Sequence, residues 1–262
     1  MERFGLTYGK AARFYDLFGE KPDVEFYKEQ ALLSRGKVLE LGVGTARLAL
    51  ELARCGVRVV GIDSSPDMLR VARRKLTEEP TDVRRRVTLK RGNMRDLRLT
   101  EKFSMIYMPA STFDHLTNVE DQVNVLRCVY RSLEDSGRFV FDVEQFSSGK
   151  PPCSWWLERK ELKGGREVVR SGFMMSNLRE RTSTIHLFFD LYRKGKLIER
   201  YYEHGRVAIF TKRELLRILG ETGFKVDAVY GDFNKTKHTQ RSPRIVFVAR
   251  KSRQRSKRKM TS

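Results

Sequence analysis

Two glycines and an aspartate carry the clearest chemistry in this chain. Gly42 and Gly44 close an apolar run, Val38-Leu39-Glu40-Leu41, and lead into a helical stretch that begins at Ala46. Glycines let the backbone turn sharply and come close to a ligand. A helix N-terminus behind such a turn adds amide donors and the positive end of its dipole. Asp63 ends a second apolar run, Val59-Val60-Gly61-Ile62, 21 residues after Gly42. An acid at the tip of a second strand can accept hydrogen bonds from both hydroxyls of a ribose. The pattern predicts a nucleotide-like ligand lying across two strand ends. The competing use of Asp63 is as the cap of the helix that follows.

A second group of reactive side chains is Met108-Pro109-Ala110-Ser111-Thr112-Phe113-Asp114-His115. Ser111 and Thr112 bring hydroxyls that can hold a substrate. His115 could act as a general base or pack on the helix that follows. Phe113 could stack on a planar substrate or sit in the core of a plain strand-to-helix turn. The four histidines, His115, His186, His204 and His238, show no ligand spacing, so no metal site is expected. The three cysteines have no CxxC spacing, which argues against both a disulfide scaffold and a zinc knuckle.

The elements that must position these groups can be read from periodicity. Strands are expected at Lys37–Leu41, Val57–Ile62, Val87–Lys90, Phe103–Met108 and Arg138–Val143, with helices at Ala46–Arg54, Pro66–Leu76 and Glu120–Leu133. Strand–helix alternation of this kind predicts a parallel sheet covered on both faces. Residues 1–35 read as an N-terminal helical lid, with Asp23 placed to cap a helix over Val24–Leu33. The alternation breaks over residues 150–207, which read as an inserted antiparallel β subdomain. Its strands are expected at Glu167–Met175, Arg181–Tyr192 and Lys196–Phe210, with Gly164-Gly165 and Lys194-Gly195 as hairpin turns. Thr211 and Glu214 have the spacing of a capping box. Strands at Lys225–Tyr230 and Arg244–Ala249 complete the sheet, giving a core of residues 36–149 and 208–250. Residues 251–262 read as a disordered basic tail.

With 53 Lys and Arg against 33 Asp and Glu, the net charge is +20. Such a balance suits a protein that meets a polyanion. Cations cluster at Arg70, Arg73, Arg74 and Lys75, at Arg84–Arg86, and in the loop that holds Lys235, Lys237, Arg241 and Arg244. No run approaches 18 consecutive apolar residues, so no membrane helix is expected. The opening residues lack the apolar run of a signal peptide, and a cytoplasmic setting is expected.

Together, Glu40–Thr45, Gly61–Leu69, Gly92–Leu97 and Phe103–Leu116 resemble the class I S-adenosylmethionine-dependent methyltransferases, over roughly residues 8 to 145. The resemblance implies an α/β fold with a Rossmann-like seven-stranded sheet, and S-adenosylmethionine as cofactor. By this likeness Gly42 and Gly44 would line the methionine part, Asp63 the ribose, and Asn93 and Met94 the adenine. Tyr8, Tyr15, Glu40, Ser64, Met68 and Met108 would complete the cofactor site. The chain departs from the family where the third glycine is Ala46 and the adenine-side acid is Asn93.

Family members that methylate exocyclic amines of nucleobases carry a polar residue and Pro-Pro-aromatic after the fourth strand. Here Pro109 is present, the second proline is absent and Met108 replaces the polar residue. With the basic charge, this leads to the expectation of RNA as substrate, with the N4 amine of a ribosomal cytidine as first candidate. Pro109, Ser111, Thr112, Phe113 and His115 would be the catalytic group. Tyr202, His204, Arg206, Lys237 and Arg241 would meet the substrate. The alternative is a small-molecule amine N-methyltransferase of the glycine or amino-sugar type, in which the N-terminal helices and the inserted sheet form a lid.

Overall fold

The computed structural model describes residues 8–146 and 153–252. The expected basic tail therefore lies almost wholly outside the described residues. Five strands, β1 (Val38–Leu41), β2 (Val59–Asp63), β3 (Val87–Arg91), β4 (Phe103–Met108) and β5 (Leu133–Glu144), run parallel. After the insertion, β10 (Phe224–Tyr230) and β11 (Arg244–Lys251) complete a seven-stranded sheet of order β10-β11-β5-β4-β1-β2-β3. β11 is antiparallel to both of its neighbours.

Near-continuous apolar strands need cover on both faces, and they receive it. On one face, Phe26 and Tyr27 of α1 (Val24–Ser34), Leu48 and Leu52 of α2 (Arg47–Arg54) and Leu69 of α3 (Pro66–Thr77) pack on Val38, Val59, Met105 and Tyr107. A short α4 (Thr81–Arg84) adds Val83 to this layer. On the other face, α5 (Val119–Ser132) and α6 (Lys212–Glu221) pack on Leu39, Leu41, Phe103, Phe139 and Phe247. The Thr211–Glu214 capping box forms at the start of α6.

Strand order reverses between β1 and β4, so their connections leave in opposite directions. Such a reversal opens a crevice at the carboxyl ends of the strands. Gly42, Asp63 and Pro109 each follow or end a strand at that edge.

Between β5 and α6 stands a four-stranded antiparallel sheet of β6 (Cys153–Leu162), β7 (Arg166–Asn177), β8 (Thr182–Arg193) and β9 (Lys196–Ala208). The strand β6 escapes the sequence reading because most of its residues after Leu157 are charged. The N-terminal segment Lys10–Leu17 is a 3-10 helix, and Ala11, Phe14 and Phe18 pack against Val168, Leu187 and Phe189 on the inner face of this sheet. Asp23 does not cap α1 with its side chain. Its carboxylate instead takes two hydrogen bonds from Arg47, at 2.8 and 2.5 Å, a charge-assisted pairing stronger than a neutral cap. Among the described residues no helix is long and apolar enough to cross a membrane, and no metal-ligand cluster occurs.

Candidate cofactor and acceptor site

Gly42 sits at φ +76°, and a Cβ there would lie 2.5 Å from Cγ2 of Thr112. The turn after β1 and the segment after β4 therefore touch, and only glycine allows it. A Cβ at Gly44 would meet only the Gly42 carbonyl oxygen, at 4.0 Å. The Gly44 backbone N–H donates to Oδ2 of Asp63 at 2.8 Å, and the N–H of Ser65 donates to Oδ1 at 2.8 Å. Asp63 thus fixes both rims of the crevice. Burial raises its carboxyl above the ordinary value, and the backbone donors act the other way. Ser65, not Asp63, caps α3, by accepting from the N–H of Met68 at 3.2 Å. Ala46 stands at φ +59° where the family has glycine, a conformation that costs an alanine about 1 kcal/mol.

These residues surround a cavity of about 140 Å³ lined by Tyr8, Tyr15, Gly42, Gly44, Asp63, Ser64, Met68, Asn93, Met94, Thr112 and His115, among others. Asn93 also accepts a hydrogen bond from the N–H of Arg95, at 3.1 Å, so its cap role and its place in the wall coexist. Glu40 and Met108 are not part of the wall. Met108 is fully buried. Glu40 lies beneath the turn, where its carboxyl group accepts from the Tyr107 hydroxyl at 2.8 Å. Burial pushes Glu40 up to about 8, against the pull of Tyr107 and Arg47. His115 is driven down to about 4, first by burial and then by Arg95. It stays neutral at physiological pH.

A second cavity, about 220 Å³, shares Tyr8, Tyr15 and Ala110 with the first. Its other walls include Lys21, Asp23, Arg47, Arg170, Phe233 and Arg244. Ala110 and Ser111 are consecutive left-handed residues, at φ +53° and +58°. The strained turn is held by buried Asp142, which accepts from the N–H of Ser111 at 3.0 Å, from the Tyr27 hydroxyl at 2.8 Å, and from Arg244. Composition and spacing gave no sign of Asp142, Tyr27 or Ala110 in this role. The loop from β10 to β11 does reach the site through Phe233, and Arg244 at the start of β11 joins it.

Several expected site residues stand elsewhere. Phe113 has no exposed surface and packs against Phe141 and Phe210, at centroid distances of 5.1 and 5.4 Å, so it stacks on no substrate. Thr112 lines the first cavity and donates to the Pro109 carbonyl at 2.6 Å. Pro109 itself is buried. Tyr202, His204 and Arg206 point away from the inner face of the inserted sheet. The opposite register faces inward: Glu203 accepts from the N–H of Gly9 at 2.7 Å, and Tyr201 accepts from Arg13 at 2.9 Å. Lys237 and Arg241 are exposed on the loop and line neither cavity.

A family described as "Methyltransferase domain" matches residues 38–137. A putative methyltransferase of Bacillus subtilis, YqeM, is 25% identical over 94% of this chain and 97% of its own. An uncharacterized methyltransferase of Bacillus cereus is 30% identical over 63% of this chain and 78% of its own. This chain is an S-adenosylmethionine-dependent methyltransferase. It is also 24% identical to the Streptomyces venezuelae dTDP-3-amino-3,4,6-trideoxy-alpha-D-glucopyranose N,N-dimethyltransferase, over 84% of this chain and 92% of that one. The structure of the CcbJ methyltransferase from Streptomyces caelestis superposes with a TM-score of 0.79, at 23% identity, covering 94% of this chain and 100% of that one. The cofactor supplies a methyl group on a sulfonium. The uncrowded backbone at Gly44 and the carboxylate of Asp63 fit its methionine and ribose parts.

Proposed function

We propose that this methyltransferase acts on an amine of a small anionic molecule, of the kind of a nucleotide-linked amino sugar. The observation that carries the reading is the second cavity. It is small, adjoins the first cavity at Tyr8, Tyr15 and Ala110, and is walled by Lys21, which no carboxylate of the described residues holds, and by Arg47, Arg170 and Arg244, which are paired with Asp23, Glu158 and Asp142. An acceptor amine reaching past Ala110 would bring its anionic part to the Lys21 ammonium, and a phosphate or carboxylate there would share the guanidinium donors with Asp23, Glu158 and Asp142. The resemblance to the S. venezuelae dimethyltransferase over most of both chains supports the same substrate class. The RNA reading loses Phe113 as a stacking residue, since it is core, while Tyr202 and Trp155, its other stacking candidates, stand exposed away from the two cavities, as do Lys237 and Arg241.

Methyl transfer consumes an unprotonated amine, so much of the rate comes from holding that amine in line with the methyl group. Tyr8 and Tyr15 keep their hydroxyl protons, because burial first of all raises both phenols. They can therefore donate hydrogen bonds but not remove a proton at neutral pH. Tyr15 stands on the 3-10 helix and Tyr8 just before it, so this segment forms the wall the two cavities share. The test offers radiolabelled S-adenosylmethionine with nucleotide-linked amino sugars, glycine, or ribosomal RNA. Label in an amino sugar supports the reading. Label in RNA alone overturns it.

A further inference from the structure

The inserted sheet β6–β9 has two unlike faces. The inner one meets the N-terminal 3-10 helix. Across the outer one the register aligns Trp155, Phe173, His186 and His204 in one row, and Leu157, Ser171, Phe188 and Tyr202 in the next. The rings lie nearly flat on one another: Phe173 and His186 are 4.4 Å apart, Tyr202 and His204 5.3 Å, and Phe188 and Tyr202 5.0 Å. Trp155 is 78% exposed, Leu157 61% and Tyr202 48%. Nothing among the described residues covers them. An apolar patch of this breadth marks an interaction surface.

We infer that this face is where two copies of the chain join. Charge decides between the candidate occupants. A nucleic acid needs Lys and Arg open to its phosphates. Three outward arginines of this face are instead closed on carboxylates: Arg200 on Asp190 at 2.7 Å, Arg206 on Glu180 at 2.7 Å, and Arg159 on Glu167 at 3.3 Å. The patch is a locally balanced aromatic surface on a chain of net charge +20. A two-fold interface requires a patch that complements itself, and a flat aromatic face with internally paired charges does so without setting like charges together. Size agrees. Strands of 10 to 13 residues at a rise of ~3.3 Å and a spacing of ~4.8 Å give a face of roughly 600–800 Å². A stable interface buries about 800 Å² per partner.

The test is the mass of the full chain in solution by sedimentation velocity at micromolar concentration. The expected result is twice the 30.6 kDa of one chain. Trp155→Glu and Leu157→Lys should each raise the dissociation constant roughly 30-fold or more, as loss of a central anchor does. Leu33→Glu, an exposed apolar site on α1, should leave the dimer intact, and thermal melts show that each variant folds. A wild-type monomer overturns the inference, as does a monomer that binds a uridine oligonucleotide in a manner lost with Trp155→Glu. So does a dimer that both substitutions leave unchanged. Substrate assays read the Proposed function separately, so either proposal can fail alone.

Discussion

Replacing Glu40 by glutamine should stabilise the protein at alkaline pH and do little at acid pH. The carboxyl is buried beneath the Gly42 turn and titrates at about 8 when folded, against 4.5 when free. The difference, 8 − 4.5 = 3.5, corresponds to about 5 kcal/mol. The folded chain holds a proton that the unfolded chain has released. The stability this provides is complete below pH 4.5 and is lost as pH rises through 8. A glutamine side chain in this place would mimic the protonated form at every pH and would still accept from Tyr107. Stability gaps between wild type and Glu40→Gln, from urea titrations at pH 5 and 8.5, should differ by several kcal/mol in favour of the variant at 8.5. That is a large share of the 5–15 kcal/mol a domain has in total. Equal gaps at the two pH values would refute the reasoning, and would mean that the carboxylate stays ionised in the fold.

Asp63→Ala should weaken S-adenosylmethionine binding at least ~100-fold in calorimetry, since it removes charge-assisted acceptors and frees the Gly44 and Ser65 rims. Phe113→Ala should cost about 3–5 kcal/mol of stability by leaving a cavity in a closed core, measured by denaturant titration; a loss confined to substrate KM would contradict its placement. Arg244→Met should destabilise by about 3–5 kcal/mol through the stranded Asp142 carboxylate, and Arg244→Met with Asp142→Asn should recover much of it. His115 titrates near 4, so the rate profile between pH 5.5 and 8 should carry no step from it; a step near 6.5 that vanishes in His115→Gln would show otherwise.

What the sequence made legible was local. The strand, glycine turn and helix from Val38 to Arg54, and the acid after Val59–Ile62, are written in adjacent residues. So is the capping box at Thr211. What escaped depends on distant partners. Strand alternation says that Tyr201 and Tyr202 face opposite ways, but only the packing of Ala11 and Phe14 decides which one faces inward. The Arg47 side chain, 24 positions away, takes the Asp23 carboxylate from its cap role. Phe113 looks the same in sequence whether it is core or platform. The buried Asp142 could be recognised only once β5, α1 and β11 stand together.

The N-terminal segment is stitched to both halves of the molecule. Asp16 accepts from Thr45 at 2.8 Å and from Lys75 at 2.9 Å, and the Tyr8 carbonyl accepts from Ser65 at 3.0 Å. Gly9 and Arg13 reach Glu203 and Glu199, 194 and 186 positions further along. A chain is made from its N-terminus, and contacts of such separation form late. During synthesis the glycine crevice of β1 and β2 can assemble while its roof has nothing to close against. Tyr8 and Tyr15 gain their inner-sheet backing only after β8 and β9 have been made. The order of translation therefore delays the finished pocket until almost the whole enzyme exists, and a truncated product stopping before β8 would leave its cofactor crevice open.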